Sequence, residues 1–353
     1  MTDFLDDLDD RLRKVETGGI GHYYRPLAEA ADEFIRFSEN PGLRVKMGVP
    51  LFDDATRGVA PGEMMLINGF AHSGKTVLAT EILMANYQVP MMLATPDETR
   101  PAVLAKLAAA DTGVGAEELE RRIYQGDTQA REILLGVAAK YAHLAVYDEN
   151  VTLHMLDVML KEATQALGAK PKGVIFDYAE QLNEQMDVKS KLDALKRFGK
   201  ENEVALFVLH QSSRSKGAGG QQLGLDSGAY GGETQATFLI TVRRKISFFR
   251  DRIQELEYKL ANATNPSMQS RYEEQLYTIR QQIPYHLDTV SIGMAKNKRP
   301  PMKLIEERDF KIDQATGRVT LIVSDEDDFD RPDASQPELG LSGSGRDLLN
   351  QSF

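Results

Sequence analysis

The sequence predicts an α/β protein built on a mainly parallel, twisted sheet with helices packed across it, and three observations carry that expectation. From about Gly48 onward, short apolar runs of strand length alternate with stretches of helical periodicity, the order that lays strands side by side under a cover of helices. Two of those runs pass straight into polar residues: Gly173-Val174-Ile175-Phe176-Asp177 and Leu206-Phe207-Val208-Leu209-His210-Gln211. Between another such run and a helical stretch stands Gly69-Phe70-Ala71-His72-Ser73-Gly74-Lys75-Thr76. It fits G-x-x-x-x-G-K-[ST], the loop whose backbone N–H groups wrap nucleotide phosphates.

In chain order, residues 1–45 read as short N-terminal helices and a linker. Phe4, Leu5, Leu8, Leu12 and Val15 mark an acidic amphipathic helix over the first sixteen residues, and Gly18-Gly19 breaks it. Leu27, Ala31, Phe34 and Ile35 mark a second helix over 26–37. The core reads as 46–323, with strands at 64–68, 90–95, 144–147, 173–177, 204–209, 237–242 and 289–294. A terminal hairpin pairs 302–307 with 318–323 around Ala315-Thr316-Gly317. Within the core, 246–285 reads as an inserted helical hairpin: Ile246, Phe249, Ile253, Leu256 and Leu260 share one helical face, and Met268, Tyr272, Leu276, Ile279 and Ile283 another. Residues 324–353 are rich in Asp, Ser, Gly and Pro and read as a disordered acidic tail.

The composition excludes several classes of function. No cysteine occurs among the 353 residues, so there is no disulfide framework, Cys-containing zinc site or thiol nucleophile, and a reducing cytoplasm suits the chain. No apolar run approaches the ~20 residues of a membrane span, and the acidic start is wrong for a secretory or transit signal. The net charge of −11 argues against a generally basic nucleic-acid coat. Any nucleic-acid contact must come from local basic patches, at 214–216 and at 296–299.

The candidate chemistry follows from residue types at strand ends. Gly69, His72, Ser73 and Gly74 form the phosphate loop, where side chains would block the approach of the amides. Lys75 is expected on the β/γ-phosphates and Thr76 on Mg²⁺. Asp177, closing an apolar strand about a hundred residues later, is the expected second Mg²⁺-side group. Hydrolysis also needs a base for the attacking water; either Asp97 or Glu98 can serve, and Glu98 is preferred. Gln211 is placed to sense a γ-phosphate and pass its state to the Gly/Ser-rich stretch 212–232, in which Arg214 and Lys216 are candidate contacts to a phosphate backbone. Lys296, Lys298 and Arg299 form a candidate cationic finger toward the nucleotide of a neighbouring subunit.

Taken in order, these motifs resemble the ATPase domain of DnaB-type replicative helicases in the RecA-like superfamily, from about Gly48 to Val323 without the helical insertion. The resemblance rests on Gly48 to Asp54, Arg57 to Glu63, the phosphate loop, Glu98 with Leu104-Ala105, Val146-Tyr147-Asp148, Asp177-Tyr178 with Gln181-Leu182, His210 to Arg214, Glu233 to Ala236, and Ala295 to Lys298. It implies a RecA-like P-loop core using ATP and Mg²⁺, with Glu98 as catalytic base. It also implies a homo-hexameric ring moving 5′→3′ on single-stranded DNA. The family's finger arginine falls on Lys298, and Arg299 lies one position later. The family's helical N-terminal domain has no counterpart here, which resembles a phage version acting in host cytoplasm. Primase, a helicase loader or other replisome proteins are the partners implied, reached through the hairpin or the tail. Two alternatives share the nucleotide chemistry: a RecA-like recombinase or strand-annealing ATPase, and an ATP-binding loader or scaffold of a replication complex.

Overall fold

The structure is a computed structural model that describes Leu27 and residues 29–182, 185–211 and 235–322. The expected first helix, the 212–232 stretch with Arg214 and Lys216, Glu233-Thr234 and the acidic tail lie outside the described residues.

Nine strands form one sheet in the order β3-β2-β4-β5-β1-β6-β7-β8-β9. The first six positions are parallel: β3 (Leu144–Tyr147), β2 (Met91–Ala94), β4 (Gly173–Phe176), β5 (Ala205–Gln211), β1 (Met64–Gly69) and β6 (Phe238–Arg244). The antiparallel flank is β7 (Thr289–Asn297), β8 (Ile305–Ile312) and β9 (Val319–Leu321). Every residue of β1, β2 and β4 is buried, as expected of parallel strands covered on both faces. Side chains on a strand alternate between faces, and β1 shows it. Met65 and Ile67 join one apolar core with Leu78, Ile82, Val103 and Leu107, while Met64 and Leu66 join the other with Leu160, Leu192 and Leu195.

The first core is covered by α2 (Pro50–Thr56), α3 (Lys75–Ala85), α4 (Arg100–Thr112), α5 (Ala116–Tyr124) and α6 (Thr128–Lys140), after the leading helix α1 (Glu29–Glu39). The second is covered by α7 (Leu156–Leu167) and α8 (Val188–Glu201). Between β6 and β7 run α9 (Lys245–Ala261) and α10 (Pro266–Gln282). They pack on each other through buried Leu256 and Leu276 and an ion pair of Arg280 with Glu257 at 2.7 Å. Tyr258 and Tyr277 remain exposed.

Two boundaries differ from the sequence reading. The leading helix starts and ends two to three residues late. The strand expected at 302–307 is β8, and it starts at Ile305. Asn297 explains the second shift: its side-chain amide donates to the Lys303 carbonyl at 3.1 Å and its Oδ1 accepts from the Arg299 N–H at 2.9 Å. The chain therefore closes a loop over 297–303, containing Pro300 and Pro301, before the strand begins. β7 also runs on to Asn297, past the expected end at 294.

Candidate functional site

β1 is central, between β5 and β6, and its last residue opens the phosphate loop. A Cβ on Gly69 would lie 2.5 Å from both Ser73 Oγ and the Val242 carbonyl, so only glycine fits there. Gly74 has φ of 101° and leads directly into α3 at Lys75. Lys75 is buried, and its Nζ donates to the loop carbonyls of Gly69 (2.9 Å) and Phe70 (2.8 Å). Burial pushes its pKa down to about 8, against the opposing pull of Asp177 and Glu180. The Ser73 hydroxyl is buried without a hydrogen-bond partner among the described residues. The loop thus holds a lysine and a hydroxyl with unmet polar demand at the positive end of a helix, which is what an anion satisfies.

Three side chains converge beside the loop. Asp177 follows β4; its Oδ2 accepts from Thr76 Oγ1 at 3.1 Å, and its Oδ1 is buried with no partner. Burial, then the nearby charge of Glu98, raises its pKa to about 6. Glu98 follows β2, the neighbour of β4, and is ion-paired to Lys106 on α4. One small cavity is lined by Thr76, Thr95, Glu98, Lys106 and Asp177 over an apolar floor of Leu93, Val103 and Leu107. Asp97, the alternative acid, is exposed and hydrogen-bonds Tyr178 instead. A threonine hydroxyl and a carboxylate with a buried, unpartnered oxygen are the hard donors that Mg²⁺ takes when phosphate and water complete its shell. Among the described residues no three His, Cys, Asp or Glu cluster as a self-sufficient metal site.

Gln211 ends β5 in register with Gly69, one strand from the loop. Its N–H and Nδ1 of the buried His210 both meet Glu180 Oε1, the former at 2.9 Å. Burial alone would raise the Glu180 pKa, but the His210 and Gln211 hydrogen bonds hold it below the usual value.

The cationic finger lies elsewhere. β7 is antiparallel, so Lys296 pairs with Leu239 and Asn297 with Phe238, at the start of β6. Phe238 in turn pairs with Met65, four residues before Gly69. At ~3.3 Å per residue the two sites are roughly 13 Å apart along the sheet, at opposite edges. Arg299 is committed within the chain: it is ion-paired with Glu63, donates to the Thr56 carbonyl and, at 2.9 Å, to the Gly58 carbonyl, and stands 5.2 Å from the Phe238 ring centroid. Lys298 is exposed. One edge thus gathers Gly69, His72, Ser73, Gly74, Lys75, Thr76, Glu98, Asp177 and Gln211, and the other Lys296, Lys298 and Arg299. Lys106, Glu180 and Glu63 are the neighbours that the sequence reading missed. Lys106 stands eight residues after Glu98, and that two-turn spacing was the one available signal.

Comparison with known proteins agrees with this geometry. A DnaB-like replicative helicase, solved in work on its interactions with primase, superposes with a TM-score of 0.61 at 13% identity, covering 85% of this chain and 68% of the other. The ATPase domain of a phage helicase superposes with a TM-score of 0.63, also at 13% identity, covering 85% of this chain and 100% of that domain. The fold is therefore that of RecA-like helicase ATPase domains. No curated protein matches the chain by sequence. The family model of the DnaB-like helicase C-terminal domain matches residues 44–222, more than half of the chain and the whole stretch from phosphate loop to Gln211, and the chain belongs to that family.

Proposed function

We propose that this chain is the ATP-hydrolysing motor of a replicative DNA helicase, working as a homo-hexameric ring on single-stranded DNA in the 5′→3′ direction. One observation carries the reading: Thr76, Glu98 and Asp177 line one cavity beside the phosphate loop, while Lys296 and Lys298 stand at the opposite edge of the same sheet. Such an arrangement becomes complete when the far edge of one copy meets the loop of the next, as head-to-tail contacts do around a ring.

On this reading ATP enters at the loop. Lys75 exchanges the Gly69 and Phe70 carbonyls for phosphate oxygens, which restores its charge. Thr76 and Asp177 would hold Mg²⁺, which supplies charge neutralisation on the β- and γ-phosphates. Glu98, oriented by Lys106, takes the proton of the attacking water. The neighbour's Lys298, with Lys296, offsets charge on the transferring phosphoryl group; the finger role falls to the lysines because Arg299 is held by Glu63. A lysine acts here as a point charge without the planar fork of arginine. Gln211 senses the γ-phosphate and passes its loss to 212–232, where Arg214 and Lys216 grip the strand. The primase contact of the similar helicase supports replisome partners for this chain, and the cytoplasm, that of the host for a phage protein, is the compartment this role requires.

A strand-displacement assay on forked substrates of opposite polarity tests motor activity and direction together. Unwinding of the 5′-tailed fork, lost in Lys75→Ala, is expected. ATP hydrolysis without unwinding of either fork contradicts the helicase reading, and filaments on DNA in negative-stain images point to the recombinase alternative.

A further inference from the structure

β4 pairs with β5 only as far as Phe176 opposite Val208, so the last three residues of β5 have no strand beside them on that side. A side chain fills the gap. Glu180, in the turn Ala179–Gln181 that follows Asp177, offers Oε1 to both the Gln211 N–H and the His210 ring. The turn is itself fixed from below: Lys191, buried on α8, donates to the carbonyls of Glu180 (3.1 Å) and Leu182 (2.5 Å). The same helix reaches the start of β6, where Lys196 Nζ donates to the Gln235 carbonyl at 2.6 Å. One helix therefore anchors the metal-side turn and Gln235, and Glu180 connects that turn to Gln211. Gln211 and Gln235 are the two residues that flank 212–234.

We propose that Glu180 is a positioning residue that fixes the end of β5, and so the aim of Gln211, against the turn behind Asp177, coupling the nucleotide site to the residues that follow Gln211. The coupling rests on the function proposed above. A carboxylate that accepts two hydrogen bonds from neighbouring residues of one strand end holds that end at a defined distance from its own backbone. A shift of the Asp177 turn is then handed to Gln211 through a rigid link rather than through solvent. Glu180 touches neither substrate nor metal and acts only through Gln211 and His210.

The test measures ATP hydrolysis by the full chain, with and without an oligo(dT) strand, in wild type, Glu180→Ala, Glu180→Gln and Glu180→Asp. In Glu180→Ala the stimulation by DNA should fall at least ~10-fold while KM for ATP stays within ~2-fold, the pattern of a lost coupling rather than lost binding. Glu180→Gln keeps an acceptor for the Gln211 N–H and should recover stimulation to within ~3-fold of wild type. Glu180→Asp keeps the charge but withdraws it by one methylene and should lose stimulation like alanine; it carries the test if the alanine variant does not fold. Wild-type stimulation in both Glu180→Ala and Glu180→Asp, or an equal loss in all three variants accompanied by a raised KM, overturns the proposal. A wild-type chain that shows no DNA-stimulated hydrolysis overturns the helicase reading, and this coupling with it.

Discussion

At the C-terminal edge of the parallel strands, Lys75, Thr76 and Asp177 are packed at electrostatic cost: Lys75 is pushed down to about 8, Asp177 up to about 6, and Asp177 Oδ1 is buried without a partner. At the opposite edge Arg299 is equally withdrawn from water, yet Glu63, two backbone carbonyls and the Phe238 ring satisfy it. Both edges hold buried charge, but only the first holds charge whose demands the chain leaves unmet. The contrast separates a residue built for a ligand from one built for the fold. It therefore reassigns Arg299, a finger candidate on sequence, to a structural role and leaves the finger to the lysines.

The comparison breaks most sharply at the first edge. Lys75→Ala should lower ATP hydrolysis by ~10³-fold or more, since positioning and charge on the phosphates are the main catalytic terms in phosphoryl transfer; retention of turnover in a steady-state assay would show that the loop is not the site. Glu98→Gln should lower kcat by ~10²- to 10⁴-fold with KM changed only a few-fold, the range for a lost general base. An equal result from Asp97→Asn, with Glu98→Gln unaffected, would transfer the role to the exposed acid.

At the second edge the same kind of substitution should read out in stability. Arg299→Ala strands the Glu63 carboxylate and two carbonyls and should cost ~3–5 kcal/mol in chemical denaturation, the figure for breaking a buried pair from one side. A cost below ~1 kcal/mol would return Arg299 to the list of finger candidates. Asp177→Asn should do the reverse in nucleotide-free protein with EDTA. The folded-state pKa of Asp177 is above its unfolded value, so its contribution favours the fold below pH ~4 and is lost as pH rises through about 6. At pH 8 the substitution removes a buried charge and should stabilise the apo chain by up to ~3 kcal/mol, while ending hydrolysis. Lys298→Ala is the smallest of the set: stability within ~0.5 kcal/mol of wild type and kcat reduced ~10-fold or more in the assembled protein.

Much of this was legible in the sequence because it is local. The phosphate loop, the apolar runs ending at Asp177 and Gln211, and the periodicity of α9 and α10 each occupy one short stretch, and each formed as read. What escaped was set by partners far apart in the chain. Glu63 meets Arg299 across 236 positions and Glu180 meets His210 across 30, and no periodicity announces either pair. The start of β8 escaped for a related reason: Asn297 closes a loop with its side chain, and strand propensity does not register a side-chain hydrogen bond. Strand order also had to come from the fold, and strand order is what puts the lysines at the far edge.

Subunit mixing tests the division between the two edges directly. Lys75→Ala has a dead loop and an intact far edge; the double variant Lys296→Ala/Lys298→Ala has the opposite defect, and each alone should be inactive. Combined in equal amounts, about a quarter of head-to-tail interfaces join a sound loop to a sound far edge, so DNA-stimulated hydrolysis should reappear. If the mixture stays as inactive as its components, the nucleotide is not shared between copies and the two-edge site is wrong.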